Sequence, residues 1–117
     1  MTLYHWDSME REHVNPLFDR RLINGEAMTV ARLDLKKGCF VPLHSHHNEQ
    51  ISLIETGRMK FTIEGQEILM GPGDVLHIPR NVPHSAEVLE DMTGIDLFSP
   101  PREDWINKTD AYLRDQK

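Results

Sequence analysis

The chain has 117 residues, a length that fits one domain with a core of modest size. Thirteen Lys and Arg against nineteen Asp and Glu leave a net charge of −6 with no basic run, which argues against a nucleic-acid-binding patch. No stretch approaches the roughly 18 apolar residues of a membrane helix, and the amino terminus holds no signal-peptide core. The lone cysteine, Cys39, excludes an internal disulfide and is read as a buried thiol in a cytoplasmic protein.

Taken in chain order, residues 1–15 show no clear period and are expected to form an arm that pairs with a partner subunit in a homodimer. Turn signals then come at short intervals: Asn24-Gly25, "KKG" ending at Gly38, Thr56-Gly57, "EGQ" around Gly65, and "GPGD" at 71–74. The runs between them are rich in Val, Ile, Leu, Phe and Thr, the pattern of short antiparallel strands. In "MKFTI" Met59, Phe61 and Ile63 share one face opposite Lys60 and Thr62. "ISLI", "VLHI" and "TGIDLF" are strands of the same kind, and Pro79 and Pro83 fall between strands, where a proline removes no ladder donor. One short helix is expected in the tail, with Ser99 as its cap, Pro100 and Pro101 opening it, and Trp105, Ile106, Tyr112 and Leu113 at helical spacing. The sum is an all-β sandwich or barrel, a single domain over 1–117.

The stretch "VPLHSHHNEQ", residues 41–50, places three histidines within four positions. On an extended segment residues i and i+2 face the same way, so His44 and His46 aim at one point and His47 aims elsewhere. By itself this pattern also fits a polar surface loop, but a wider frame surrounds it. Gly38, five residues, His44-Ser45-His46, three residues, Gln50, six residues and Gly57 form one frame. Gly73, five residues, Pro79, one residue, Asn81, two residues and His84 form a second.

Together the two frames, spanning about 38–88, resemble the two motifs of the cupin superfamily. That resemblance implies a double-stranded β-barrel, or jelly roll, with one divalent transition metal inside, of which Ni, Fe, Zn or Mn would fit nitrogen and oxygen ligands. The ligands it implies are His44, His46, Gln50 and His84. Two positions depart from the pattern. Asn81 stands where glycine is usual, which its tolerance of left-handed backbone allows, and Val88 replaces a terminal asparagine. Gln50 itself replaces the usual glutamate. Glu49 is an alternative ligand, though a one-residue shift turns it to the opposite face of a strand. A neutral amide leaves the ion's charge undiminished, making it a stronger Lewis acid toward an anionic oxygen and a more weakly held one. His77 is left as a core or rim histidine.

The second unusual stretch is "DLFSPPREDW", residues 96–105. Asp96 and Phe98 share a strand face, and an inward carboxylate needs compensation, since burying one alone costs on the order of several kcal/mol. An ion pair from Asp96 to Arg102 would supply it, as would a nearby metal. Asp96, Phe98 and Arg102 at this spacing, beside a glutamine in the ligand set, resemble the pectin-degradation (KdgF-type) cupins. These open the ring of 4,5-unsaturated monouronates from pectin or alginate to give 5-keto-4-deoxyuronate. The resemblance implies that Asp96, Phe98 and Arg102 line the active site; for that reaction Asp96 is the candidate catalytic acid or base, Arg102 a two-pronged grip on the substrate carboxylate, and Phe98 packing against the sugar. Arg58 and Arg80 are alternative carboxylate partners. The competing readings are a dioxygenase or sugar isomerase on the same fold, and a non-catalytic sugar- or metal-binding domain.

Overall fold

A computed structural model describes residues 1–115. Eight strands form one continuous antiparallel sheet that folds over on itself: β1 (Glu12–Asn15), β2 (Phe18–Asn24), β3 (Thr29–Leu35), β4 (Phe40–His44), β5 (Glu49–Ile63), β6 (Gln66–Met70), β7 (Val75–Ile78) and β8 (His84–Ser99). Two four-residue helices follow, α1 (Glu103–Ile106) and α2 (Ala111–Arg114). Residues 12–15 of the amino-terminal segment pair with β2 of the same chain, Glu12 opposite Arg20.

Two strands account for the folding over, because β5 and β8 run 15 and 16 residues and pair along nearly their whole length. The first half of β5 pairs with β7, Gln50 opposite Ile78, and its second half pairs with β6, Met59 opposite Met70. Likewise β8 pairs with β4 near His84 and with β3 from Met92 to Phe98. The result is a sheet ordered β1-β2-β3-β8-β5-β7 facing one ordered β4-β8-β5-β6. Between the halves the β5–β8 register slips three times, from Ile54 to Met59. Such bulges bend a strand.

Gly57 sits in this bend. The expected hairpin turn at Thr56-Gly57 is therefore a bulge inside β5, not a turn. Its φ is 83°, and a Cβ there would lie 2.2 Å from the Asp91 carbonyl oxygen, so both backbone shape and space require glycine. Asn81, at φ 66°, adopts the left-handed conformation expected of it.

The core lies between the two sheets. In β3 the buried residues alternate strictly, Thr29, Ala31, Leu33 and Leu35 inward. Met59 and Phe61 of β5 and Ala86, Val88, Met92 and Phe98 of β8 meet them. Ile63 packs against the same cluster.

The tail differs from the single capped helix expected. Ser99 ends β8 and donates its hydroxyl to the Ala27 carbonyl, and the Ser99-Pro100 peptide is cis. Helix α1 begins only after Arg102, and Lys108, at φ 57°, separates it from α2. Asp110, just before α2, is locked by Arg20, whose Nη1 donates to it at 2.7 Å with both side chains fully buried. Arg114 donates to the other oxygen of Asp110 at 2.7 Å and also bonds Glu12, which in turn accepts from Arg20. This ionic cluster ties α2 to β1 and β2, and α2 also lies against β4.

Candidate functional site

Strand geometry brings the histidines together. His44 ends β4 and His84 begins β8, and the two are register partners, while His46 stands on the loop entering β5. One potential ligand atom from each of His44, His46 and His84 lies within 4.8 Å of the other two. Their rings pack at centroid distances of 4.3 Å (His44–His84), 5.1 Å (His46–His84) and 5.5 Å (His44–His46).

Each Nδ1 faces a backbone carbonyl two residues away: Pro42 at 2.7 Å, Asn48 at 3.0 Å and Val82 at 2.9 Å. A carbonyl only accepts, so each Nδ1 carries the proton and each Nε2 keeps its lone pair. That is the tautomer of metal-ligating histidine, oriented by its other nitrogen. Burial, with further lowering from His84, His46 and Arg102, pushes His44 down to about 4. His46 falls to about 4 through burial, Arg102 and His84, and His84 is lowered by burial and Arg102. All three imidazoles are therefore neutral at pH 7, the state in which they bind a metal.

Gln50 reaches the same point from the facing sheet. It is buried, and its Oε1 lies 3.1 Å from His46 Nε2 while its Nε2 donates to Ser52 Oγ at 2.9 Å. Glu49 points outward, where it accepts from His77 Nε2 at 2.7 Å with both side chains about half exposed. His77 is thus a surface residue, and His47 is exposed as well. The donor set of three neutral imidazole nitrogens and one amide oxygen fits a borderline divalent transition ion.

Behind the histidines lies a cavity lined among others by His44, Gln50, His84, Asp96, Phe98 and Arg102. Asp96 stands opposite Ser52 across the β5–β8 pair. Burial pushes its carboxyl up to about 6, opposed by a hydrogen bond from Ser52 and by the charge of Arg102. Phe98 is 2% exposed and meets the His46 ring edge-on at 5.7 Å.

Arg102 is placed differently from either pairing expected of it. It is 1% exposed, and its ion-pair partner is Asp104, not Asp96: Nε and Nη2 donate to the two Asp104 oxygens at 2.9 Å each. Against the raising effect of burial, this contact holds the Asp104 carboxyl below its ordinary value. Nη2 also donates to the Tyr112 hydroxyl at 2.8 Å, and the guanidinium lies over the rings of Phe98 and Trp105 at 4.6 and 4.4 Å. With Nε and Nη2 engaged, a two-pronged grip through that edge is closed to a substrate carboxylate. Arg58 and Arg80 are exposed and do not line the cavity.

Three contributors escaped the sequence reading. Tyr112 stacks on His44 at 4.7 Å and 26°, joining the tail to the histidine cluster. Asn48 is buried, and its amide donates to the carbonyls of Pro100 and Pro101, tying the histidine loop to the same tail. Ser52 was detectable, since it is a polar residue two positions from Gln50 on one strand face. Nothing in the spacing tied Tyr112 or Asn48 to the histidines.

Residues 31–95 match the family described as Cupin domain. Over 103 residues, 86% of this chain and 94% of the relative, the sequence is 26% identical to the pectin degradation protein KdgF of Dickeya dadantii (strain 3937). A 42-residue stretch, 36% of this chain, is 45% identical to quercetin 2,3-dioxygenase of Bacillus subtilis (strain 168), of which it spans 12%. Among solved structures, KdgF from Halomonas sp. superposes with a TM-score of 0.84 at 26% identity, covering 90% of this chain and 98% of that one. With its jelly-roll barrel and paired histidine motifs, the chain belongs to the cupin family and is KdgF-like within it.

Proposed function

We infer that the protein is a metal-dependent enzyme that opens the ring of 4,5-unsaturated monouronates from pectin or alginate to give 5-keto-4-deoxyuronate. The observation that carries this reading is the shared cavity: Asp96, Phe98 and Arg102, from the end of β8 and the turn after it, line the space that His44, Gln50 and His84 also line. The likeness to KdgF over most of both chains supports the same substrate class.

His44, His46, Gln50 and His84 would hold one divalent transition ion, Ni, Fe, Zn or Mn, which when bound supplies Lewis acidity toward an anionic oxygen. Ring opening removes the proton of the C1 hydroxyl and breaks the bond from C1 to the ring oxygen. The electron pair then resides as an enolate at C5, and a proton is delivered to C4. Asp96 is the proton carrier in this scheme. With its carboxyl near 6 it exchanges protons readily around neutral pH, and such a group contributes about 10²- to 10⁴-fold. Phe98 gives the sugar an apolar wall and keeps water from Asp96. Arg102 contributes positive charge and its Nη1, which takes no part in the bonds to Asp104 and Tyr112.

The test is the ultraviolet absorbance of the C4–C5 double bond in unsaturated galacturonate, followed with and without nickel-loaded protein. Accelerated decay that needs the metal supports the reading. A metal-loaded protein that leaves the spontaneous rate unchanged refutes it, and O₂ consumption instead would favour an oxygenase.

A further inference from the structure

A glutamine side chain has two unlike ends, and only its oxygen can ligate a metal. His46 donates through Nδ1 to the Asn48 carbonyl, so its Nε2 presents a lone pair toward Gln50 Oε1 at 3.1 Å. Two acceptors facing each other repel unless a cation lies between them. Left to itself, the amide would turn over and donate its NH₂ to His46, ending its use as a ligand.

What opposes this lies on the other side of the amide. Gln50 Nε2 donates to Ser52 Oγ at 2.9 Å, and the two residues are 5% and 1% exposed, so water cannot substitute freely. A hydroxyl has one proton. If it were sent to the amide, the oxygen would face Ser52 and the NH₂ would face the histidines. Ser52 instead stands directly opposite Asp96 in the β5–β8 register, and a carboxylate there is the acceptor for that proton, leaving the Ser52 oxygen to accept from Gln50.

We propose that Ser52 is a positioning residue that fixes Gln50 with its oxygen toward the histidines, by accepting from the amide while donating to Asp96. Asp96, Ser52 and Gln50 thus form a directed chain linking the proton carrier to the ligand set. A glutamate at position 50 would need no such device, because either carboxylate oxygen can ligate. The need arises with the amide, and the chain supplies the serine beside it. The inference rests on the assignment of Gln50 as a ligand.

The experiment measures Ni(II) affinity of the metal-free protein by competition with a chelating dye, and the visible spectrum of the Co(II)-substituted protein. The variants are Ser52→Ala, Gln50→Ala, Gln50→Glu and the double variant Ser52→Ala/Gln50→Glu. Ser52→Ala should weaken Ni(II) binding by about 10- to 100-fold, the usual cost of losing a partner that orients a ligand, and should alter the Co(II) bands. In the Gln50→Glu protein most of that loss should vanish.

If Gln50→Ala weakens binding but Ser52→Ala does not, the proposal fails while the ligand assignment stands. An equal Ser52→Ala loss in both backgrounds also overturns it, since the serine would then act by packing alone. Unchanged affinity in Gln50→Ala would overturn the ligand assignment and the proposal together.

Discussion

Asp96→Asn separates the cost of a partly buried carboxylate from its use. Burial raises the Asp96 carboxyl from its ordinary 3.8 to about 6 in the folded chain. The folded state therefore favours the neutral form more than the unfolded state does. That contribution to stability is complete below pH 3.8 and is lost as pH rises through about 6. Each tenfold change in ionisation constant corresponds to about 1.4 kcal/mol, so at pH 8 the metal-free protein carries a penalty of about 3 kcal/mol. Against a total stability of about 5–15 kcal/mol this is large. Asparagine has nearly the same shape and no charge. Urea unfolding of metal-free protein should find Asp96→Asn more stable than wild type by up to about 3 kcal/mol at pH 8, with the gap closing near pH 4. A bound cation compensates the carboxylate and should narrow the gap at pH 8. The same variant should retain Ni(II) and lose uronate turnover. Parallel stability curves from pH 4 to 8 would refute the buried-charge argument, and retained turnover would remove Asp96 from its proposed role.

Three further outcomes are expected. Gly57→Ala forces an unfavourable φ and a clash with the Asp91 carbonyl, and should cost about 3 kcal/mol or more in urea unfolding. Asp110→Ala leaves the fully buried Arg20 without its closest carboxylate and should destabilise by about 3–5 kcal/mol; because Asp110 anchors the helix carrying Tyr112, turnover should fall with it. Gln50→Glu should bind Ni(II) more tightly by isothermal titration, yet show a higher KM for the acidic sugar.

The parts of the fold that were legible are those governed by local chemistry. Period-two alternation located Met59, Phe61 and Ile63 on the core side, and the spacing of Gly38, His44, His46 and Gln50 identified the cupin frame. What was not legible depends on partners distant in sequence. A glycine with positive φ serves a turn and a bulge equally well, so nothing local distinguished Gly57 in a continuous β5 from the tip of a hairpin. Of the helically spaced Trp105, Ile106, Tyr112 and Leu113, Trp105 and Leu113 are buried, but Ile106 is exposed and Lys108 breaks the backbone between two short helices. Parity placed Asp96 and Phe98 correctly along one face. It said nothing of Arg102, which lies beyond the strand, where Asp104 is only two residues away and captures the guanidinium first.

That capture changes the electrostatic logic of the cavity. A fold shared by many reactions does not choose a substrate, so the choice must lie in particular groups. Arg102 was expected to attract the anionic sugar, but Asp104 balances it, and Asp96 adds a further negative charge whenever it is ionised. The three histidines are neutral at pH 7. Under the proposed function, then, only a bound dication can make the site positive, and it does so by a single charge over Asp96, Arg102 and Asp104 together. A glutamate at position 50 would cancel that surplus, whereas an amide preserves it. On an acidic chain that offers no long-range attraction to a uronate, this small local excess is what remains to draw one in. On the proposed reading, the neutrality of Gln50, more than the presence of Arg102, suits the site to an acidic substrate, and keeping the amide oxygen turned toward the ion falls to Ser52.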